Sequence, residues 1–340
     1  MTASPLLSID GLRVEFDTRQ GMVPGVRDAG LIIRPGEIVG LVGETGSGKT
    51  LMCRSVMRLI PRPGRITAGR VEFEGRDVLG MSLRELRDFR AHEVGMIYQD
   101  PFSSLNPVFR IGSQLVETLR VNLGLGKAEA RTRALELLGD VGIPDPERRA
   151  LSYPHEFSGG MRQRVMIALA TASQPRLLLA DEPTTALDVT TQAQILDLLT
   201  RLSQERQMAV LLVSHDFGVI AQVCDRVAVM YGGYIVETAP VEAVYRAPEH
   251  PYTRGLLESI PRIESAGHAT RLPIIRGGPP DPSESLPGCV YKPRCPHALD
   301  SCETVPMVLE PVSGDHATAC PVRPYARAGG GAVPQAEARA

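Results

Sequence analysis

Apolar and polar positions alternate through the first part of the chain. In "LSIDGLRVEF", Leu7 to Phe16, the apolar residues fall about two apart, which predicts half-buried strands. "TRQGMVPG" marks the turn of a hairpin, and "GRVEFEGRDV" reads as a second hairpin. Between them, Ile38 to Val42 is uninterruptedly apolar, the pattern of a strand covered on both faces; it empties into a glycine-rich turn and a helical pattern from Gly48 to Leu59. From about 100 to 170 the spacing turns helical, in "IGSQLVETLRVNL" and "AEARTRALELLGDVG". Residues 174–240 return to alternating strands and helices, with apolar runs in "RLLLADE" and "LLVSHD", so the fold class expected is α/β with a mainly parallel core sheet. Beyond Ala239 the chain becomes a proline-punctuated helical linker, "VYRAPEHPYTRGLLESIPRI". A cysteine-bearing tail follows, and the last residues, "ARAGGGAVPQAEARA", are expected to be disordered.

Composition narrows the class. A chain of 340 residues with 43% hydrophobic and 22% charged content is globular and near the size at which cores divide. The start has no basic region followed by an apolar run, and no stretch of about 18 apolar residues occurs, so neither a secretory signal nor a membrane span is expected. A net charge of −2 gives no general attraction to nucleic acid. No basic run carries interleaved aromatics, and Trp is absent, so no nucleic-acid partner is expected. Six cysteines are too few for a disulfide scaffold. Cys53 and Cys224 stand alone and are expected as small buried apolar residues, whereas Cys289, Cys295, Cys302 and Cys320 cluster in the tail.

The chemistry begins at "GETGSGKT", Gly43 to Thr50. A strand, GxxxxGK[ST] and a helix together form a P-loop, whose glycines let backbone N–H groups turn onto phosphates at a helix N-terminus. Gly43, Glu44, Thr45, Gly46, Ser47 and Gly48 form the cradle; Lys49 would reach the β- and γ-phosphates and Thr50 would hold Mg²⁺. The strand "RLLLADE" ends in Asp181, placed as a second acidic anchor for Mg²⁺, and Glu182, placed to orient or deprotonate a water.

With these motifs the chain resembles the ATP-binding-cassette (ABC) ATPases. "FSGGMRQRV", Phe157 to Val165, resembles the LSGGQ signature, with Phe157 for Leu and Met161 for Gln. Gln99 in "MIYQDP" occupies the Q-loop position, Asp188 ends the D-loop "TTALD", and His215 in "LLVSHD" is the switch histidine. The resemblance implies a P-loop ABC nucleotide-binding domain with a RecA-like core, an antiparallel β subdomain, an α-helical subdomain at about 100–170 and a small Cys-rich C-terminal extension. It places the ATPase domain at 1–240, the extension at 241–325 and a disordered tail at 326–340. It also implies a head-to-tail dimer in which Ser158, Gly159 and Gly160 face the γ-phosphate held by the other subunit. His215 and Glu182 would hold the attacking water in line, and Gln99 would contribute to Mg²⁺ and to coupling. Met161 would alter nucleotide affinity or dimer kinetics while leaving hydrolysis intact. Phe16 is the candidate adenine platform, against the alternative of a strand core residue, and Tyr98 is expected in the core.

"HPYTRGLLESIP", "QDPFSSLNP" and the cysteine tail resemble the ATPase subunits of bacterial oligopeptide and dipeptide importers. That resemblance implies a peripheral protein on the cytoplasmic face of the membrane. Its partners would be a homologous second ATPase subunit, two permease subunits and an extracytoplasmic substrate-binding protein, with peptides, nickel complexes or other solutes as cargo. The Q-loop groove would receive a short permease helix. For the cysteines the spacing alone leaves zinc and iron–sulfur open: five, six and seventeen residues separate Cys289, Cys295, Cys302 and Cys320, matching neither the paired ligands of structural zinc nor the ferredoxin runs. Disulfides are disfavoured in an ATP-bearing cytosolic protein. The importer resemblance implies a 4Fe–4S cluster on the four thiols, with zinc the lesser alternative and His297 and His316 as possible substitutes. A second functional class, soluble ABC ATPases of DNA repair or ribosome recycling, fits less well, because those proteins generally carry two cassettes or place their cysteines within or before the cassette.

Overall fold

A computed structural model of the chain describes residues 4–19, 21–100, 104–185, 187–260, 274–284 and 287–323. The expected disordered tail at 326–340, and parts of the linker and of "QDPFSSLNP", lie outside the described residues. The first elements in chain order are β1 (Leu7–Thr18), β2 (Gly21–Ile33), β3 (Ile38–Val42), α1 (Lys49–Val56), β4 (Gly64–Phe73), β5 (Arg76–Asp77), α2 (Leu83–His92) and β6 (Val94–Ile97). The helical stretch contains α3 (Ile111–Leu123), α4 (Lys127–Asp140), α5 (Pro146–Arg149) and α6 (Gly159–Ala170). Then come β7 (Leu177–Asp181), α7 (Val189–Arg206), β8 (Ala209–Ser214), α8 (Phe217–Val223), β9 (Arg226–Tyr231), β10 (Tyr234–Pro240), α9 (Val241–Arg246), α10 (Pro251–Glu258), β11 (Glu310–Ser313) and β12 (His316–Thr318). The fold is mixed α/β.

The chain divides into two compact units. One comprises residues 77–213 with two short N-terminal pieces. In it β7 pairs in parallel with both β6 and β8, Leu177 lying opposite Val94 on one side and Ala209 on the other. All three strands are buried along their length, which is why they read as apolar runs rather than alternating ones. Around them, α3 buries Ile111, Leu115 and Leu119, one position per turn, and α4 buries Ala130, Ala134, Leu137 and Leu138. Ser82 and Glu85 form a reciprocal capping box that fixes the start of α2.

The other unit comprises 7–32, 39–76 and 214 onward. Its first sheet runs β2-β1-β4-β5 and is antiparallel at β1 and β4, where Leu7 lies opposite Phe73 and Phe16 opposite Gly64. In its second sheet β3 runs parallel to β9; β10 turns back on β9, β12 pairs with β10 and β11 with β12, all antiparallel. The sequence pattern did not show the last two strands, which lie between Cys302 and Cys320. The helix expected from Gly48 to Leu59 is α1, ending at Val56 before Arg58 turns to positive φ.

Candidate nucleotide-binding site and a four-thiol cavity

The P-loop belongs to the second unit. β3 delivers Gly43, and Gly48 takes φ 109 at the start of α1, a conformation that favours glycine. A Cβ there would also lie 2.6 Å from the Gly25 carbonyl oxygen. Lys49 is 5% exposed, and its Nζ donates to the carbonyl oxygens of Gly43 at 2.7 Å and Glu44 at 3.0 Å and to Ser47 Oγ at 3.4 Å. The ammonium is thus drawn back over the loop, while Thr45 and Gly46 at the tip are exposed and Thr50 follows in the first turn. Phe16, half-buried on β1, lies beside two glycines: a Cβ at Gly64 would come within 2.6 Å of its ring and one at Gly25 within 3.2 Å. His215 is exposed just after β8, next to Asp216, whose Oδ1 accepts from the Gly218 N–H at 2.7 Å and caps α8.

The acidic residues and the signature belong to the first unit. Asp181 ends β7 at 1% exposure. Glu182 follows with φ 50, a conformation uncommon outside glycine and often found at functional sites. Its Oε2 accepts hydrogen bonds from Gln99 Nε2 and from Thr185 Oγ1, each at 2.9 Å. Two residues 83 positions apart in the sequence are brought together here; Thr185 is a partner that motif reading missed. Ser158 caps α6 by accepting from the Met161 N–H at 3.3 Å, which leaves its own hydroxyl hydrogen for another acceptor. Asp188 caps α7: Oδ1 accepts from the Thr191 N–H at 2.9 Å and Oδ2 from Thr191 Oγ1 at 2.7 Å. These bonds hold its carboxyl below the ordinary aspartate pKa. Gly160 is required by the same contact, because a Cβ there would stand 2.5 Å from Thr191 Cγ2. Signature and D-loop therefore meet at Thr191.

Tyr98 departs from expectation. It is exposed, since β6 ends at Ile97, and it shares a groove of about 750 Å³ with Phe109, Gln114, Val121, Met166 and other residues. Val121 is 75% exposed and Phe109 53%.

In the second unit the four tail cysteines converge. Cys289, Cys295, Cys302 and Cys320 line one cavity of about 10 Å³ together with His250 and His297. Burial pushes the Cys289 thiol up to about 11, and its three neighbours push in the same direction. Cys295 and Cys320 are likewise raised, chiefly by burial. Among the described residues, no three His, Cys, Asp or Glu side chains close on a point that would hold a metal ion. The cavity was not fully legible in advance: His250, 1% exposed, forms part of its wall. His250 Nδ1 accepts from the Tyr252 N–H at 3.1 Å, so the neutral ring carries its proton on Nε2, which has no acceptor among the described residues. His316 is not part of the cavity wall. It is held away by Glu237, whose Oε1 lies 2.7 Å from His316 Nε2. Cys53 is fully buried, and Cys224 is half-buried against the position of Gly40.

The extension also reaches the P-loop. The Glu44 N–H donates to Tyr252 Oη at 2.8 Å, and the Glu44 carboxylate is held by Arg294 at 2.7 and 3.0 Å. No sequence signal joins positions 250 residues apart.

Comparison with known proteins shows similarity along most of the chain. Residues 26–185 match the ABC transporter family, and 236–302 match the C-terminal region of oligopeptide/dipeptide transporters. A Brucella abortus (strain 2308) protein named for peptide import and ATP binding is 46% identical over 323 residues, spanning 95% of this chain and 96% of its own. The oligopeptide transport ATP-binding protein OppD of Salmonella typhimurium is 46% identical over 318 residues, 94% of each chain. Among solved structures, the dimeric MJ0796 bacterial ABC transporter cassette superposes with a TM-score of 0.63 at 28% identity, covering 69% of this chain and 98% of that one. The same cassette in a post-hydrolysis state bound to ADP and Pi gives 0.63 at 27% identity, with the same coverage.

Proposed function

The chain belongs to the ABC transporter ATPase family, and from that premise we propose that it hydrolyses ATP to power import of peptides across the cytoplasmic membrane. The observation that carries peptide import, rather than transport in general, is the match of residues 236–302 to the oligopeptide/dipeptide transporter C-terminal region. The near full-length likeness to OppD supports the same reading.

Each side chain has a role that its chemistry suits. Lys49 turns from the loop carbonyls to the β- and γ-phosphates, and the P-loop N–H groups and the positive end of α1 take the remaining charge. Thr50 and Gln99 would offer oxygens to Mg²⁺ and Asp181 a carboxylate through water, donors that suit a hard cation. Glu182 accepts the proton of the attacking water, with Gln99 and Thr185 fixing its carboxylate. His215 orients that water against the γ-phosphate. Phe16 stacks on adenine. Ser158, Gly159, Gly160 and Asp188 serve the nucleotide of a second ATPase subunit; the Ser158 hydroxyl hydrogen is available to its γ-phosphate while the oxygen still caps α6.

The partners follow from the same reading. The exposed Tyr98, Phe109 and Val121 in the 750 Å³ groove suit an apolar helix of a permease. Two permeases and a substrate-binding protein complete the assembly, which seats this subunit on the cytoplasmic face; no described helix is long and apolar enough to cross a membrane.

The four-thiol cavity is read as an iron–sulfur site, with zinc the lesser alternative. Four thiols on one cavity wall are the ligand set a cluster would take, and the Nε2–H of His250 is a buried donor suited to sulfur; at about 10 Å³ the cavity must widen to hold one. A bound 4Fe–4S cluster would cross-link the segments carrying residues 289, 295, 302 and 320.

The test of function is reconstitution of the chain with its permeases and binding protein in liposomes. ATP hydrolysis stimulated by peptide-loaded binding protein, with peptide accumulating inside, is expected. Stimulation by DNA or RNA instead, falling with salt, would favour the repair or ribosome class. For the cavity, iron, acid-labile sulfide and zinc are counted on protein purified without oxygen. Near-stoichiometric iron and sulfide, lost on Cys→Ser substitution, supports the cluster, and zinc without sulfide rejects it.

A further inference from the structure

We propose that Arg294 is a positioning residue for nucleotide binding: from the cysteine-bearing extension it holds the P-loop in its binding shape by gripping Glu44. The inference rests on reading residues 43–50 as the nucleotide site. A P-loop leaves its second position open to any side chain, yet here that residue is fixed from three sides. Arg294 Nη1 and Nη2 meet Glu44 Oε2 and Oε1 at 2.7 and 3.0 Å, the two-pronged geometry that guanidinium and carboxylate share. The Glu44 N–H is spent on Tyr252 Oη, and its carbonyl accepts from Lys49 Nζ at 3.0 Å and from the Ser47 N–H at 3.1 Å. The peptide that Arg294 immobilises is therefore also a resting point of the phosphate-binding lysine.

Arg294 is itself held. Its side chain is 7% exposed; Nε donates to the Arg276 carbonyl at 2.9 Å, Nη2 to the Gly277 carbonyl at 3.2 Å, and Nη1 to Tyr231 Oη at 3.2 Å. The next residue is Cys295, whose side chain lines the four-thiol cavity. A displacement of this turn is thus passed to the P-loop through one side chain.

The test is titration of the full-length chain with a fluorescent ATP analogue, well below each variant's melting temperature. Arg294→Met should weaken binding about tenfold, a loss of about 1.4 kcal/mol. Glu44→Gln should weaken it similarly, and the double variant should bind no worse than the weaker single one, because both remove one interaction. Arg294→Lys should recover part of the loss. Arg254→Met, which removes a partly exposed arginine of the same extension paired with Glu258, should bind as the unaltered chain does. If the Arg294 variants fail to fold, Glu44→Gln decides, since it keeps the side-chain shape. Binding by Arg294→Met and Glu44→Gln within twofold of the unaltered chain, or strictly additive losses, overturns the inference alone. An unaltered chain that binds no ATP overturns the nucleotide reading and the inference with it.

Discussion

Glu182 combines two features that separate its backbone from its chemistry. It sits at φ 50, where a non-glycine residue costs on the order of 1 kcal/mol, and its carboxylate collects hydrogen bonds from Gln99 and Thr185. Glu182→Gln keeps the backbone and the bulk but removes the base, so ATP turnover should fall at least about 100-fold while ATP binding persists. Phosphate release measured beside nucleotide binding checks this; near-normal turnover would take the role from Glu182. Lys49→Ala should do the reverse and lose affinity, because no other P-loop side chain carries a positive charge. Residues of this kind were legible in the sequence because motif spacing is local: the P-loop and the Asp181–Glu182 pair each lie within one strand–turn–helix, and the signature within one turn and the helix it opens. Tyr98, Thr185, His250 and Arg294 were not, since their roles depend on where a strand ends or on partners far along the chain.

At the scale of elements, two helix starts share one contact. α6 is capped by Ser158 and α7 by Asp188, and Gly160 of the first lies against Thr191 of the second. Gly160→Ala pushes a methyl group into Thr191 and should destabilise the protein by about 1–3 kcal/mol, seen as a lowered melting temperature; an unchanged melt would show that the contact yields freely. Ser158→Ala removes a cap worth about 1 kcal/mol, and it should reduce ATP hydrolysis in the assembled transporter more than that small loss of stability explains. The Asp188 carboxyl is held below its ordinary pKa, so its contribution is present at neutral pH and lost as acid protonates it below the usual aspartate range. Helices α3 and α4 were readable from their period because their buried faces are continuous. Strands β11 and β12 were not, being four and three residues long with little alternation.

For the whole molecule, the groove around Tyr98, Phe109 and Val121 separates hydrolysis from work. Val121→Glu places a charge on a surface that is already exposed, so the isolated chain should fold and bind ATP as before. In the reconstituted transporter, peptide uptake and peptide-stimulated hydrolysis should both fall several-fold as an apolar contact is lost. Uptake at the unaltered rate would move the permease contact elsewhere.

The pairing of β12 with β10 carries one more consequence. β12 covers an edge that would otherwise offer a row of unmatched N–H and C=O groups to any passing strand. It also brings His316 to Glu237, a carboxylate with no exposure to solvent. A chain shortened to end at residue 302, where the likeness to the transporter C-terminal region stops, would be sticky rather than merely smaller. Its bare edge would recruit other copies, and light scattering that grows with concentration would reveal the last strands as guards against self-association.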